Sequence, residues 1–293
     1  MDIALATCLD LPEPDHDAAP LEAALRAAGI AAGWLAWDDP GADWSRARLT
    51  VLRTTWNYPE QPERFLAWAE RVTRVSRLCN PLPLVRFNLH KRYLLELEAR
   101  GVAVAPTVLV ARGAATTLDA IRSERGWDDV VVKPAVSAAS FRTSRFGPGD
   151  HAAGEAHLRA LVAERDVLVQ PYLPAVEGHG ERALVWIDGE LTHAVRKSPR
   201  FAGESESVSS APVAVSPAEH ALAERAIAAL DGTPLYARID VAPGPDGSPA
   251  LMELELIEPS LFFPQAPRAL ARFVAALERE LAELPKRNPP SGP

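Results

Sequence analysis

The chain has 293 residues, 47% of them hydrophobic and 24% charged, with a formal net charge of −8. That acidic balance argues against a general nucleic-acid or anionic-membrane binder, so any affinity for phosphate must come from local positive charge. Two cysteines, Cys8 and Cys79, give no disulfide framework and fit a reducing cytoplasm. The start, MDIALATCLD, lacks the basic region of a signal peptide, and no stretch reaches the ~18 apolar residues that span a membrane.

The apolar run Ile3–Thr7 predicts a buried strand, 20–28 a helix stopped by Gly29, and 31–37 and 49–53 two more strands. Strand, helix and strand in this order predict a small doubly wound α/β unit, which binds ligands beyond the carboxyl ends of its strands. The segment there, Arg53-Thr-Thr-Trp56-Asn57-Tyr58, is rich in polar recognition groups. Arg53 suits a bidentate grip on a carboxylate, and Arg53, Trp56 and Asn57 are candidate substrate contacts. A helix-entry loop with Trp56 packed on the core is the plainer alternative. An amphipathic helix over 62–77 follows, with Phe65, Trp68, Ala69 and Val72 on one stripe.

Pro81 and Pro83 mark a connector and a change of unit. Asn88 reads as the N-cap of a helix that ends at Gly101 and carries Lys91 in its first turn. A cation there opposes the helix dipole, which suits an anion-binding role or a surface lysine. Strands over 107–110 and 129–133 flank a helix over 117–125. Lys133 ends the second strand, and the loop AVSAASFRTSRF follows it, with hydroxyls at Ser137, Ser140 and Thr143. An ammonium beside a row of backbone N–H groups suits phosphate oxygens, although the loop is poor in glycine and an ordinary turn is the alternative.

The strand over 167–170 runs into Pro171-Tyr172-Leu173-Pro174, an extended segment able to read an adenine edge between apolar walls. Glu177 and Glu181 come next. A hairpin over 183–187 and 190–195 turns at Asp188-Gly189. The polar stretch RKSPRFAGESESVSS places Arg196, Lys197 and Arg200 close together, as a loop that contacts an anionic substrate group or as plain surface. A helix over 217–230 leads to a second hairpin, 235–241 and 250–257, joined by APGPDGSP. Glu253 and Glu255 are two apart and share one strand face, Asp240 can oppose them, and Met252, Leu254 and Leu256 take the other face. Three carboxylates on one face need positive charge among them, supplied by a divalent ion such as Mg2+, unless the face is simply solvated. A helix over 266–284 closes the chain.

In this order the pieces resemble an ATP-grasp enzyme of the glutathione synthetase type, over roughly residues 88–284. The resemblance implies an α/β fold: a doubly wound N-terminal unit over 1–87, an ATP-grasp small lobe over 88–170, a large lobe with the metal site over 171–286, and a flexible tail over 287–293. It implies that Lys91 (an N-x-x-K match) and Lys133 (V-V-K-P) grip the ATP phosphates, with Ser137 and Ser140 in the covering loop. Gln170, Pro171, Tyr172 and Leu173 would hold adenine and Glu177 the ribose. Asp240, Glu253 and Glu255 would hold two Mg2+ ions, with Mn2+ as a substitute. Arg238 and Lys133 would act in catalysis, Arg238 on the acyl phosphate or its adduct; a structural partnership with Glu253 or Glu258 is its alternative. The chain departs from the pattern in its Ser/Ala-rich phosphate loop and in Glu255, where many relatives carry Asn.

RTTWNY, the run from NPLPL to LEARGV and KPAVSAAS are similar to the D-cycloserine synthetase branch, which closes the ring of O-ureido-D-serine with ATP. The expectation is an ATP-dependent carboxylate–amine ligase acting through an acyl phosphate, ring-forming or joining two amino acids or peptides. A kinase and a non-catalytic nucleotide-binding protein are the rivals. The expected partners are small-molecule carboxylates and amines, without nucleic acid or membrane, and Arg196 and Lys197 join Arg53, Trp56 and Asn57 on the substrate side. A homo-oligomeric state is left open.

Overall fold

Three four-stranded sheets organise this computed structural model, which describes residues 1–138, 140–198 and 207–285; Arg200 and the predicted tail 287–293 lie outside the described residues. The first sheet comprises β1 (Ile3–Thr7), β2 (Ala32–Ala36), β3 (Leu49–Thr54) and β4 (Arg77–Cys79), all parallel and ordered β2-β1-β3-β4. Its helices are α1 (Ala18–Ala27) and α2 (Pro62–Val72). The helix predicted over 62–77 stops five residues early, and β4 takes its last residue. Residues 73–76 turn out of the helix, where the β-branched Thr73 and Val75 would lose rotamer freedom.

The second sheet is antiparallel and ordered β5-β8-β6-β7. Between it and the first lie two short helices, α3 (Leu82–Asn88) and α4 (Tyr93–Ala99). The sheet itself is built from β5 (Val108–Val110), β6 (Val130–Pro134), β7 (Ser144–Phe146) and β8 (Val167–Pro171). Helices α5 (Leu118–Arg125) and α6 (His151–Val162) cover one face, burying Leu118, Ile121, Leu158 and Leu161 on Val130, Val132 and Val167. The short α7 (Ala175–Gly178) then leads to the third sheet.

That sheet is ordered β10-β9-β11-β12: β9 (Glu181–Ile187), β10 (Glu190–Lys197), β11 (Tyr236–Pro243) and β12 (Pro249–Glu255), with α8 (Pro217–Ala228) before β11 and α9 (Pro267–Ala282) at the end. A reciprocal Ser216–Glu219 capping box starts α8. One face packs Ala237, Ile239, Leu184 and Leu254 on α4 and α8. The other face changes character along its length. At one end Val185, Ile187 and Tyr236 join Phe273 and Leu277 of α9 and Ile3, Leu5 and Val51 of the first sheet in one core. At the other end the same face carries charge.

Two asparagines fix β12 and its neighbours. Asn88, expected as an N-cap, is instead the last residue of α3: its side-chain amide donates to Leu254 O at 2.7 Å, and its oxygen accepts from Leu256 N at 2.8 Å. The predicted helix through Lys91 is therefore broken, with Lys91 in the turn between α3 and α4. Asn80 donates to Tyr236 O and Leu256 O at 2.8 and 2.7 Å.

Candidate functional site

The charged end of the third sheet and the open face of the second bound a cleft of about 1050 Å3, part of it open to solvent. From the second sheet come Lys133 at the end of β6, Ser137 and Ser140 in the loop after it, and Gln170, Pro171, Tyr172 and Leu173 on and just beyond β8. The third sheet supplies Glu181, Lys197, Arg238, Glu253 and Glu255, and Lys91 enters from its turn. Val131, Val176 and Met252 pack with Tyr172 and Leu173 into an apolar wall. A chain read over widely separated segments thus assembles a pocket apolar at one end and ionic at the other.

The ionic end is a network of alternating charge. Lys91 donates to Ser137 O at 3.1 Å and contacts Glu253 Oε1 closely. Lys197 Nζ bridges Glu181 Oε1 at 2.7 Å and Asp240 Oδ2 at 2.8 Å. Arg238 gives Asp240 three hydrogen bonds of 2.8 to 3.2 Å and reaches Glu255 as well. Burial and the nearby Lys91 and Lys197 depress the Lys133 ammonium, while Glu253 partly restores it. For Glu253, burial works against the charged form, yet Lys91 and Lys133 outweigh it and hold the carboxyl low. Burial raises Glu255 to about 7, helped by Glu253 and Asp240 and opposed by Arg238. Asp240 is the reverse case: Arg238 and Lys197 overcome its burial and keep it ionised.

The positive charge expected among the three carboxylates is thus the protein's own. No group of three or more metal-ligating side chains is gathered tightly enough for an ion among the described residues. The donor chemistry still fits a hard cation: Asp240, Glu253 and Glu255 offer only oxygen, and Mg2+ takes one or two carboxylates together with phosphate oxygens. Lys91 pairs with Glu253 and Lys197 with Asp240, so these ammonium groups neutralise two of the three carboxylates.

Two bulges decide which side chains reach the cleft. Counting back from the Asp188-Gly189 turn would pair Arg196 with Glu181, but an extra residue at Thr192 shifts the register so that Lys197 stands opposite Glu181. Arg196 turns away, donating to His179 O and Gly178 O at 3.0 Å each and lying against Gly180, where a Cβ would meet its side chain at 2.5 Å. In the second hairpin Asp240 opposes Glu253, but Val241 opposes Leu251. Met252 is the extra residue, so it faces the cleft while Leu251 and Leu254 both enter the core. Its expected place opposite the glutamates is corrected by that bulge.

Other predicted residues lie elsewhere. Glu177 is exposed and does not line the cleft: it accepts from Tyr172 OH at 3.0 Å and Arg145 Nη1 at 3.1 Å. Arg145 in turn sits 3.5 Å from the centre of the Tyr172 ring and is clamped by Asp129. Arg53 is buried on Asp17 (Nη2 to Oδ2, 3.2 Å), away from the cleft. Asn57 is satisfied within the first unit, accepting from Trp37 Nε1 at 2.6 Å and donating to Asp38 at 2.7 Å. Trp56 bonds Glu258 O at 3.0 Å and lines a separate cavity. Thr143, named above as a loop hydroxyl, lines the cleft too, as do Glu181 and Val131, which were given no role there.

Comparisons with known proteins agree on the family. Residues 3–80 match the family model for the N-terminal domain of D-cycloserine synthetase DcsG. The chain is 36% identical over 283 residues to the cycloserine biosynthesis protein DcsG of Streptomyces lavendulae, covering 91% of this chain and 94% of that one. The crystal structure of D-cycloserine synthetase DcsG superposes with a TM-score of 0.87 at 35% identity, over 96% of this chain and all 100% of that one. A RimK domain ATP-grasp protein from Sphaerobacter thermophilus (TM-score 0.68, 21% identity, 96% and 99% of the two chains) shares the fold. So does D-alanine–D-alanine ligase from Bacillus anthracis (TM-score 0.69, 13% identity, 97% and 99%). The chain belongs to the D-cycloserine synthetase family and is an ATP-dependent ligase of the ATP-grasp fold.

Proposed function

We propose that the protein closes a ring within one O-ureido amino acid, such as O-ureido-D-serine, by activating its carboxylate with ATP. The observation that carries this reading is the cleft: apolar at Tyr172, Leu173 and Met252, and ionic at Lys91, Lys133, Arg238 and the carboxylates. In this reading Gln170, Pro171, Tyr172 and Leu173 receive adenine, while Lys91 and Lys133 take phosphate oxygens with Ser137 and Ser140 beside them. The depressed Lys133 ammonium gains charge-stabilising partners when phosphate arrives.

Asp240, Glu253 and Glu255 would hold two Mg2+ ions, replaceable by Mn2+, which neutralise the phosphate charge. The substrate carboxylate attacks the γ-phosphorus and the bond to ADP breaks, giving an acyl phosphate. Such a transfer needs positioning and charge neutralisation above all, which the two lysines supply. The substrate nitrogen then attacks the acyl carbon and phosphate departs. Arg238, buried and aimed at the cleft, stabilises the oxygen on which charge develops. Two free, buried cysteines support a reducing, cytoplasmic setting.

The test is turnover with ATP, Mg2+ and O-ureido-D-serine, followed by mass analysis. ADP with a product lighter than the substrate is expected. A joined product from two amino acids would instead establish intermolecular ligation, and a phosphorylated substrate without further product would establish a kinase.

A further inference from the structure

The open face of the second sheet carries a row of side chains that runs across its strands. Val131 of β6 stands opposite Gln170 of β8. On the far side of β8, Val108 of β5 pairs with Val169, which sets Thr107 beside Gln170. Val131 and Gln170 both line the cleft, at the end walled by Tyr172, Leu173, Val176 and Met252. Gln170 thus places an amide, only 2% exposed, at the foot of an apolar wall.

Thr107 decides which end of that amide meets the cleft. A threonine hydroxyl has one proton to give, and Thr107 gives it to Ala105 O at 2.7 Å. Toward Gln170 the hydroxyl oxygen can then only accept, and Gln170 Nε2 donates to it at 2.8 Å. The amide nitrogen is held toward Thr107 and the carbonyl oxygen is turned away from it. Among the described residues Gln170 Oε1 accepts no hydrogen bond, and it is not sealed off from the cleft. Ala105 is itself anchored: its N–H donates to Leu251 O at 2.9 Å, and its side chain packs with Tyr172 and Leu173. A relay from β12 through Ala105 and Thr107 therefore fixes a bare acceptor at the apolar end of the cleft.

We propose that Thr107 is a positioning residue that makes this pocket selective for a 6-aminopurine nucleotide. The inference rests on the placement of adenine at Gln170, Pro171, Tyr172 and Leu173 in the reading above, and adds how the base is chosen. Adenine carries an N–H donor at its 6-position, whereas a 6-oxopurine carries an oxygen acceptor there. A fixed Oε1 gains a hydrogen bond from the first and opposes the second, leaving both oxygens unpaired against apolar walls. Without the Thr107 hydroxyl the amide is free to turn its NH2 group to the cleft, and the discrimination falls.

The test is calorimetric titration of the full chain with ADP and with inosine diphosphate, in the presence of Mg2+. Wild type should bind ADP about tenfold or more tighter, and Thr107→Val should cut that ratio about fivefold, the worth of one neutral hydrogen bond. Thr107→Ser keeps the hydroxyl and should restore the wild-type ratio, which a loss of packing alone would not explain. Equal binding of the two nucleotides by wild type, or an unchanged ratio in a folded Thr107→Val, overturns the inference and leaves the ligase reading standing. Should Thr107→Val fail to fold, the diphosphate of purine riboside, which lacks the 6-amino group, decides on wild type. Binding about fivefold weaker than ADP supports an acceptor at the 6-position, and equal binding overturns it. Binding of neither ADP nor inosine diphosphate would refute the placement of adenine itself, and this inference with it.

Discussion

Lys197 Nζ lies 2.8 Å from Asp240 Oδ2 and 2.7 Å from Glu181 Oε1, so a single ammonium ties β10 to β11 and β9 at the mouth of the cleft. Asp240 is 1% exposed and cannot lose this partner cheaply, although Arg238 remains beside it. Lys197→Met is therefore expected to cost about 3 kcal/mol of unfolding free energy. In the proposed metal site Mg2+ would take the folded carboxylates in place of the ammonium, and it should then raise the Tm of the variant more than that of wild type. Denaturant unfolding and thermal melts with and without Mg2+ check this; equal Mg2+ shifts in both proteins would refute it.

Lys133→Ala and Glu253→Ala should each lower ADP formation by about a hundredfold or more while leaving the fold intact, because positioning and charge neutralisation carry phosphoryl transfer. Steady-state ADP release and circular dichroism are the measurements. Wild-type turnover by either folded variant would remove that residue from the phosphate or metal site.

Asn88→Ala should destabilise the protein by about 3 kcal/mol, because it strips partners from the buried Leu254 carbonyl and Leu256 N–H. Loss of a simple N-cap would cost only about 1 kcal/mol. Urea unfolding separates the two values.

His193 on β10 is 8% exposed, and burial holds its pKa down to about 4, with a backbone contact at Leu261 opposing the fall. The unfolded chain protonates near pH 6.5, so this residue's contribution to stability is complete above that value. It is lost as pH falls from about 6.5 toward 4, by up to about 1.4 kcal/mol per pH unit. Replacing His193 with Leu should flatten the acid side of the stability profile over that window. An unchanged slope would mean that another group controls it.

The regular elements were legible in the sequence because periodicity and turn residues report them locally: Ile3–Thr7, the Asp188-Gly189 hairpin and the β11–β12 hairpin all stand where the pattern put them. What escaped was decided by register and by tertiary partners. One extra residue at Thr192 selects Lys197 over Arg196, and one at Met252 turns a side chain from the core to the cleft. Neither bulge leaves a composition signal. Asn57 and Asn88 looked like recognition and capping residues, yet their amides are used on partners 19 or more positions away in sequence. Glu177 stood at the expected spacing, but Arg145 and Tyr172 hold it outside the cleft. Side chains of this kind have their role set by the fold that surrounds them.

The most direct test of carboxylate activation uses substrate labelled with 18O in its carboxylate. Transfer of the γ-phosphoryl group to that carboxylate, followed by attack of nitrogen on the acyl carbon, leaves one substrate oxygen in the released phosphate. One 18O per phosphate, formed in step with ADP and cyclised product, is the predicted result. Unlabelled phosphate accompanying the same product would contradict an acyl phosphate and the account built on it.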